Sequence, residues 1–173
     1  MSESAAIRVS GMVPESIVDG LGLRFTLFVQ GCPHHCEGCH NPQTHPFAGG
    51  QEFSPEEIFG KIAESPLCQG VTFSGGEPFS QAAALLPLAR LIRERGLNLC
   101  CYSGYTFEQL CEMGKTQPAV LQLLGCCDVL VDGPFILAER TLEKRFAGSR
   151  NQRVLDVKAS LKKGKAVLQD GWQ

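Results

Sequence analysis

Along the chain, a two-residue alternation of hydrophobic and polar positions repeatedly gives way to a helical spacing, then returns. Arg24-Phe-Thr-Leu-Phe-Val29 alternates and is rich in strand formers, which predicts a strand. Ser54 with Glu57 three residues later makes a capping box and Pro55 suits the first helical position, so a helix is predicted from there to about Ser65. Val71-Thr-Phe-Ser74 reads as a short buried strand ending in Gly75-Gly76. Between Gln81 and Arg95, Leu85, Leu88, Ala89 and Ile92 recur at helical spacing, with Gly96 as the stop. Pro87 lies inside that run and should delay its start or kink it. Leu97–Tyr102 predicts a third strand, and Thr106 with Gln109 a second capping box opening a helix to about Met113. Pro118–Leu124 reads as a short helix and Asp128–Val131 as a fourth strand, with Arg153–Val157 and Ala166–Leu168 as late strand candidates.

Strands alternating with helices predict an α/β fold with a parallel sheet, right-handed crossovers and outer helices. In such folds ligands gather at the carboxyl ends of the strands. The chemically unusual sequence falls there each time: a cysteine-rich loop after the first strand, Ser74-Gly-Gly-Glu-Pro78 after the second, Tyr102-Ser-Gly104 after the third and Asp132-Gly133 after the fourth. A complete eight-fold barrel takes about 250 residues. At 173 residues, without repeats, low-complexity stretches or a linker, the expectation is one domain built as a partial, open (β/α) barrel.

Composition narrows the class. The hydrophobic share of 43% and charged share of 20% are those of a globular protein, and no run of about 18 apolar residues would span a membrane. Met1-Ser-Glu-Ser-Ala-Ala has no basic stretch followed by an apolar core, so no secretory signal is read there, and nine cysteines then point to a reducing cytoplasm. The net charge of −2 hides an asymmetry: residues 140–165 hold nine Lys and Arg against Glu143 and Asp156, leaving −9 for the remainder. Such a segment is either a solvated face or a docking patch for an acidic protein, and no interleaved aromatics suggest nucleic acid.

The cysteines carry the sharpest signal. Cys32-Pro-His-His-Cys36-Glu-Gly-Cys39 spaces three thiols C-x3-C-x2-C in a loop. Three thiolates hold three corners of a cubane iron–sulfur cluster and leave one iron open to a substrate, whereas an electron-transfer cluster ordinarily takes four. A zinc site is the other reading, with His34, His35, His40 or His45 as the fourth ligand, since all four histidines of the chain lie within twelve residues. The remaining cysteines, Cys68, Cys100, Cys101, Cys111, Cys126 and Cys127, read as small hydrophobes.

Gly75-Gly76 after a strand lets a ligand approach the backbone and exposes amide donors, and Glu77 adds a carboxylate. The trio suits a ligand bearing both an ammonium and a carboxylate; a plain strand-to-helix turn is the bland alternative. Asp132 reads either as a contact to ligand or cation or as an Asp-Gly turn, and Ser103 is equally open.

The cysteine loop and the Gly-Gly-Glu-Pro element together resemble the radical S-adenosylmethionine enzymes, and within them the glycyl-radical activating enzymes. The subfamily acting on anaerobic ribonucleoside-triphosphate reductase is the nearest in pattern; activation of pyruvate formate-lyase is the runner-up. The resemblance rests on Asp19-Gly20, Leu27–Cys32, Cys39-His-Asn41, Thr72–Pro78, Tyr102–Tyr105, Val129–Phe135 and Gly148-Ser-Arg-Asn-Gln-Arg153, from about residue 19 to 157. It implies a 4Fe-4S cluster on Cys32, Cys36 and Cys39 and S-adenosylmethionine held by Gly38, His40, Gly75, Gly76 and Glu77. Gly38 stands where many members of the superfamily place an aromatic, and His40 takes the following aromatic position, against adenine. Reduced flavodoxin or ferredoxin is the implied electron donor, and the reductase the implied target. Residues after Val157 match no motif.

Overall fold

The computed structural model describes residues 4–172, so the first three residues of the stretch read for a signal lie outside it. Seven strands, β1 (Ile7–Ser16), β2 (Arg24–Val29), β3 (Gln51–Phe53), β4 (Gly70–Gly75), β5 (Asn98–Tyr102), β6 (Val129–Asp132) and β7 (Arg153–Asp156), form one sheet. Its order is β3-β1-β2-β4-β5-β6-β7. β2, β4, β5 and β6 are mutually parallel, as predicted. The edges are not: β1 runs antiparallel to β2 and β3, and β7 antiparallel to β6. The sheet is therefore mixed.

Four α-helices lie between strands, α1 (Pro55–Ala63), α2 (Ala82–Glu94), α3 (Phe107–Met113) and α4 (Pro118–Cys126), and α5 (Val157–Lys163) follows β7. Both expected capping boxes form, Ser54 with Glu57 and Thr106 with Gln109. Helix α2 runs through Pro87 after a 3-10 turn at Pro78–Gln81. The proline removes one hydrogen bond, but the face built on Leu85, Leu88, Ala89 and Ile92 is fully buried, and that burial outweighs the loss.

Side-chain parity divides the sheet. Phe25, Leu27, Val29, Val71, Phe73, Leu99, Cys101, Leu130 and Leu155 share one buried cluster with residues from all five helices. Strand positions of the opposite parity (Cys100, Val129, Val131 and Val154) form a second cluster with Trp172. Trp172 comes from a 3-10 turn at Asp170–Trp172, beyond the last recognisable motif. Its ring packs edge-on against Phe146 at 5.3 Å and lies under the guanidinium of Arg24, also at 5.3 Å. Arg24 is buried and donates to Thr72 Oγ1, the Val71 carbonyl and Asn98 Oδ1. Burial lowers its pKa, and its charge is met by oxygens and the indole face.

Two elements differ from expectation at the carboxyl end. The strand predicted to Val157 stops at Asp156, whose carboxylate accepts from the Ala159 amide and caps α5. The strand expected at Ala166–Leu168 is reduced to one bridge between Leu168 and Leu155. Among the described residues no helix is long and apolar enough to cross a membrane.

Candidate active site at the strand ends

The face opposite the helices opens into a cavity of about 780 Å³, within the 300–1,000 Å³ range usual for ligand sites. Its walls come from the carboxyl ends of the parallel strands and the loops that follow them. Cys32, Cys36 and Cys39 line it together with Ser74, Gly75 and Gly76 after β4, Tyr102, Ser103 and Gly104 after β5, and Gly133 and Phe135 after β6. Motifs spread over a hundred residues of sequence thus face one volume.

The cysteine loop is shaped by backbone hydrogen bonds before any ligand is considered. Gly31 N–H donates to the Thr44 carbonyl at 2.7 Å and Cys32 N–H to the His45 carbonyl at 3.0 Å, pinning the far end of the loop to the end of β2. Gln30 Nε2 donates to the carbonyls of Gln43 and Pro46. Cys39 N–H closes a turn on the Cys36 carbonyl, and His35 takes a left-handed backbone conformation (φ 49°). Burial pushes the Cys32 thiol up, and the amides of His34 and His35, which point at its sulfur, pull it part of the way back. All three thiols are free of disulfides.

Among the described residues no three His, Cys, Asp or Glu side chains converge as ligands of a single ion, the arrangement structural zinc requires. The three thiols stand instead around the wall of a roomy cavity. A cubane takes one cysteine per iron, so its ligands surround a volume rather than a point. The donor set and the space fit a cluster.

The comparisons with known proteins bear on the same residues. The 4Fe-4S single cluster domain family matches residues 18–155. The chain is 33% identical over 147 residues to the anaerobic ribonucleoside-triphosphate reductase-activating protein of Vibrio cholerae, covering 80% of this chain and 91% of that one. With the protein of the same description from Escherichia coli K12 it shares 33% identity over 149 residues, covering 82% and 93%. The chain belongs to the anaerobic ribonucleoside-triphosphate reductase-activating protein family. A pyruvate formate-lyase-activating enzyme from Clostridium pasteurianum is also similar, at 36% identity over 120 residues, but the match spans only 50% of that enzyme.

Against this activating-protein family, the expected site residues sort by where their side chains go. His40 lines the cavity and leans on Phe135, with ring centroids 5.3 Å apart. Gly38 packs behind it: a Cβ there would stand 2.9 Å from Leu137 Cδ1. Gly75 and Gly76 line the cavity, yet their bareness is also demanded by the fold. A Cβ on Gly76 would lie 2.3 Å from the Gly31 carbonyl oxygen, and one on Gly75 2.6 Å from the Val29 nitrogen. Two of the amide donors here are spent: Gly76 N–H donates to the Val29 carbonyl and Glu77 N–H to that of Gly31, both at 2.8 Å. Ser103 lines the cavity, while its hydroxyl donates to Glu77.

Two of the expected residues have their carboxylates engaged within the protein. Glu77 is fully buried, is not among the cavity-lining residues, and has its carboxylate occupied by protein donors. Asp132 is buried away from the cavity as well, accepting from the Phe107 amide at 2.7 Å and pairing with Arg153 at 2.6 Å. Parity explains the placement: Asp132 lies two residues from Leu130 and shares its helix-facing side, where its carboxylate caps the start of α3. That pairing, together with Glu108, holds Arg153 firmly protonated.

The cavity also recruits residues that were not read as site candidates. Asp19, Phe146, Gly148 and Gln152 line it. Gln152 Oε1 accepts from the Gly148 and Ser149 amides, which is the physical task of the Gly-Ser-x-Asn-Gln-Arg motif: it folds the loop that walls the cavity after β6.

Proposed function

We propose that this protein installs a glycyl radical on anaerobic ribonucleoside-triphosphate reductase, using S-adenosylmethionine and a 4Fe-4S cluster held by Cys32, Cys36 and Cys39. The observation that carries this reading is the convergence of three thiols, the Ser74-Gly75-Gly76 strand end and the His40–Phe135 pair on one cavity. Held by Cys32, Cys36 and Cys39, a cluster would supply an open iron and the electron needed to cleave S-adenosylmethionine, the source of the radical that would take the α-hydrogen of a glycine in the reductase. The chain's own part is placement. Gly75 and Gly76 keep the strand ends bare so that the methionine end can lie against backbone, and His40 with Phe135 offers flat surface to adenine. The walls from Phe146 and Gly148 restrict water around a reactive species. The helices on one face and the cavity on the other fit a partial, open barrel in a single domain, working in a reducing cytoplasm.

The reading is tested by anaerobic reconstitution with iron and sulfide, reduction with dithionite, and assay of 5′-deoxyadenosine after S-adenosylmethionine is added. An electron paramagnetic resonance signal on the reductase, and none on pyruvate formate-lyase, separates the two targets. Product formation without an organic radical on either protein would refute both.

A reduced flavodoxin or ferredoxin is the proposed donor, and the basic segment 140–165 is its proposed dock. The fold divides that segment. β7 runs antiparallel to β6, so Arg153 stands at the cavity end of the sheet while Asp156 and the lysines of α5 stand at the other. Lys144 is also engaged, its ammonium donating to the carbonyls of Arg150 and Gln152. Arg145 and Arg150 remain exposed near the cavity. Arg145 lies 4.8 Å over the ring of Phe146, a cavity wall, so the test reverses Arg150 to glutamate, which is expected to slow reduction by the donor severalfold at low salt, with S-adenosylmethionine binding unchanged. Equal rates for variant and wild type in stopped-flow reduction would remove the dock from this face.

The reductase would approach the cavity mouth, where Val18 is 72% exposed and Leu142 93% exposed although both line the cavity. Apolar side chains left in water beside a reactive site suit burial by a partner. Leu142→Asp is expected to cut the glycyl radical yield about tenfold or more while leaving 5′-deoxyadenosine formation with dithionite intact. Radical yield at the wild-type level would exclude Leu142 from the contact.

A further inference from the structure

The sequence reading offers the Glu77 carboxylate to a ligand bearing an ammonium, and the resemblance counts Glu77 among the residues that hold S-adenosylmethionine; the structure gives that carboxylate another task. Pro78 disfavours a helical conformation at Glu77, which stays extended (φ −116°, ψ 103°). From there the side chain turns back as the cap of the 3-10 turn and Oε2 accepts from the Phe79 amide at 3.0 Å. Oε1 accepts from Ser103 Oγ at 2.8 Å and the Gly104 amide at 2.9 Å, and His34 Nε2 stands 2.7 Å from the same atom. Because a carboxylate only accepts, Nε2 donates. Four donors from three segments occupy a group that is 0% exposed, and a carboxylate offers about four acceptor positions in all. Oε1 takes three of these donors and Oε2 one, and with the group buried outside the cavity lining an ammonium in the cavity does not reach it.

The seat for His34 is equally specific. Its ring meets Tyr105 edge-on at 4.4 Å, and a Cβ on Gly104 would stand 2.4 Å from its Cδ2. Gly104 is therefore bare because the imidazole fills its space. His34 lies between Cys32 and Cys36, so the contact fastens the middle of the cysteine loop to the ends of β4 and β5.

We propose that Glu77 is a positioning residue: acting through His34, it clamps the cysteine loop and so sets how firmly the cluster is retained, without binding the ammonium of S-adenosylmethionine. The proposal rests on the reading that the three cysteines hold a cluster.

The test uses full-length wild type, His34→Ala, His34→Gln, Glu77→Gln, Glu77→Ala and the Ala/Ala double variant, each reconstituted anaerobically. Three quantities are read: the rate of iron loss to a chelator, the affinity for S-adenosylmethionine per loaded cluster, and the unfolding midpoint of the cluster-free protein. Loss of an outer-shell partner typically costs about 10–100-fold in metal affinity. His34→Ala is therefore expected to speed iron loss by about tenfold or more, with ligand affinity unchanged. His34→Gln, whose amide still donates, should restore retention. The double variant should be no worse than Glu77→Ala alone, because one interaction is removed only once. Should Glu77→Ala not fold, His34→Ala and Glu77→Gln decide the matter. Wild-type iron retention in His34→Ala, or weakened S-adenosylmethionine binding in Glu77→Gln at unchanged retention, overturns the proposal. So does an equal fall in unfolding midpoint and retention that His34→Gln does not restore. A wild-type protein that takes up no iron is a different failure, that of the cluster reading itself.

Discussion

Replacing Cys36 by alanine is expected to bring 5′-deoxyadenosine formation to background. In the proposed site each of three irons takes one thiolate, and the loop provides no spare: among the described residues the other six cysteines lie outside the cavity lining. The loss should exceed the roughly 10–100-fold that follows removal of an outer-shell partner, because a cluster-bonding atom itself is gone. Iron content, visible absorption and product are measured on the same reconstituted sample. Cys111→Ala is the control, since that half-buried thiol sits on α3, away from the cavity, and the variant should keep both cluster and activity. Product from Cys36→Ala at the wild-type level would refute the three-cysteine cluster.

The second large effect is expected far from the thiols. Trp172→Ala should destabilise the protein by about 3–5 kcal/mol, the usual cost of emptying a buried aromatic site. For a chain of this size that lowers the unfolding midpoint by on the order of 10 °C. The indole is 4% exposed and joins Cys100, Val129, Val131 and Val154 in the core on the cavity side of the sheet. Its removal also strips the aromatic face from Arg24, a buried cation, and the packing partner from Phe146. Phe146 holds a left-handed backbone conformation (φ 61°) that a bulky residue rarely adopts, and it lines the cavity. Loss of the indole is therefore expected to loosen that wall, raising the S-adenosylmethionine concentration needed for half-maximal turnover. Thermal unfolding by circular dichroism checks the first effect and steady-state assay the second; an unchanged midpoint would mean that the carboxyl-terminal turn does not brace the sheet.

Much of this was legible in the chain because the signals are local. Short apolar runs bounded by turn residues mark β2, β4, β5 and β6, each capping box marks a helix start by its own hydrogen bonds, and the C-x3-C-x2-C spacing needs only one loop to present its thiols. The strand β1 escaped notice because Gly11 and Pro14 interrupt it, and the sheet accommodates them with register shifts at Val9/Gly11 and Val13/Ser16. β3 is three residues long and exists only because Ile7–Val9 lies beside it. Asp132 could have been placed by parity alone, one step beyond recognising the strand.

What the sequence determined by itself, then, is where the parallel strands and the helices between them lie and the loop that carries three thiols, since each is marked by a pattern among near neighbours in the chain. The tertiary structure alone decided which polar groups at the strand ends were left for a ligand. Glu77 is consumed by His34, Ser103 and Gly104, the Gly76 amide by Val29, and Trp172 finds Arg24 across nearly the whole length of the chain. A buried polar group must be satisfied by whatever folding brings within hydrogen-bond reach, and that reach is a distance in space which spacing along the chain does not encode.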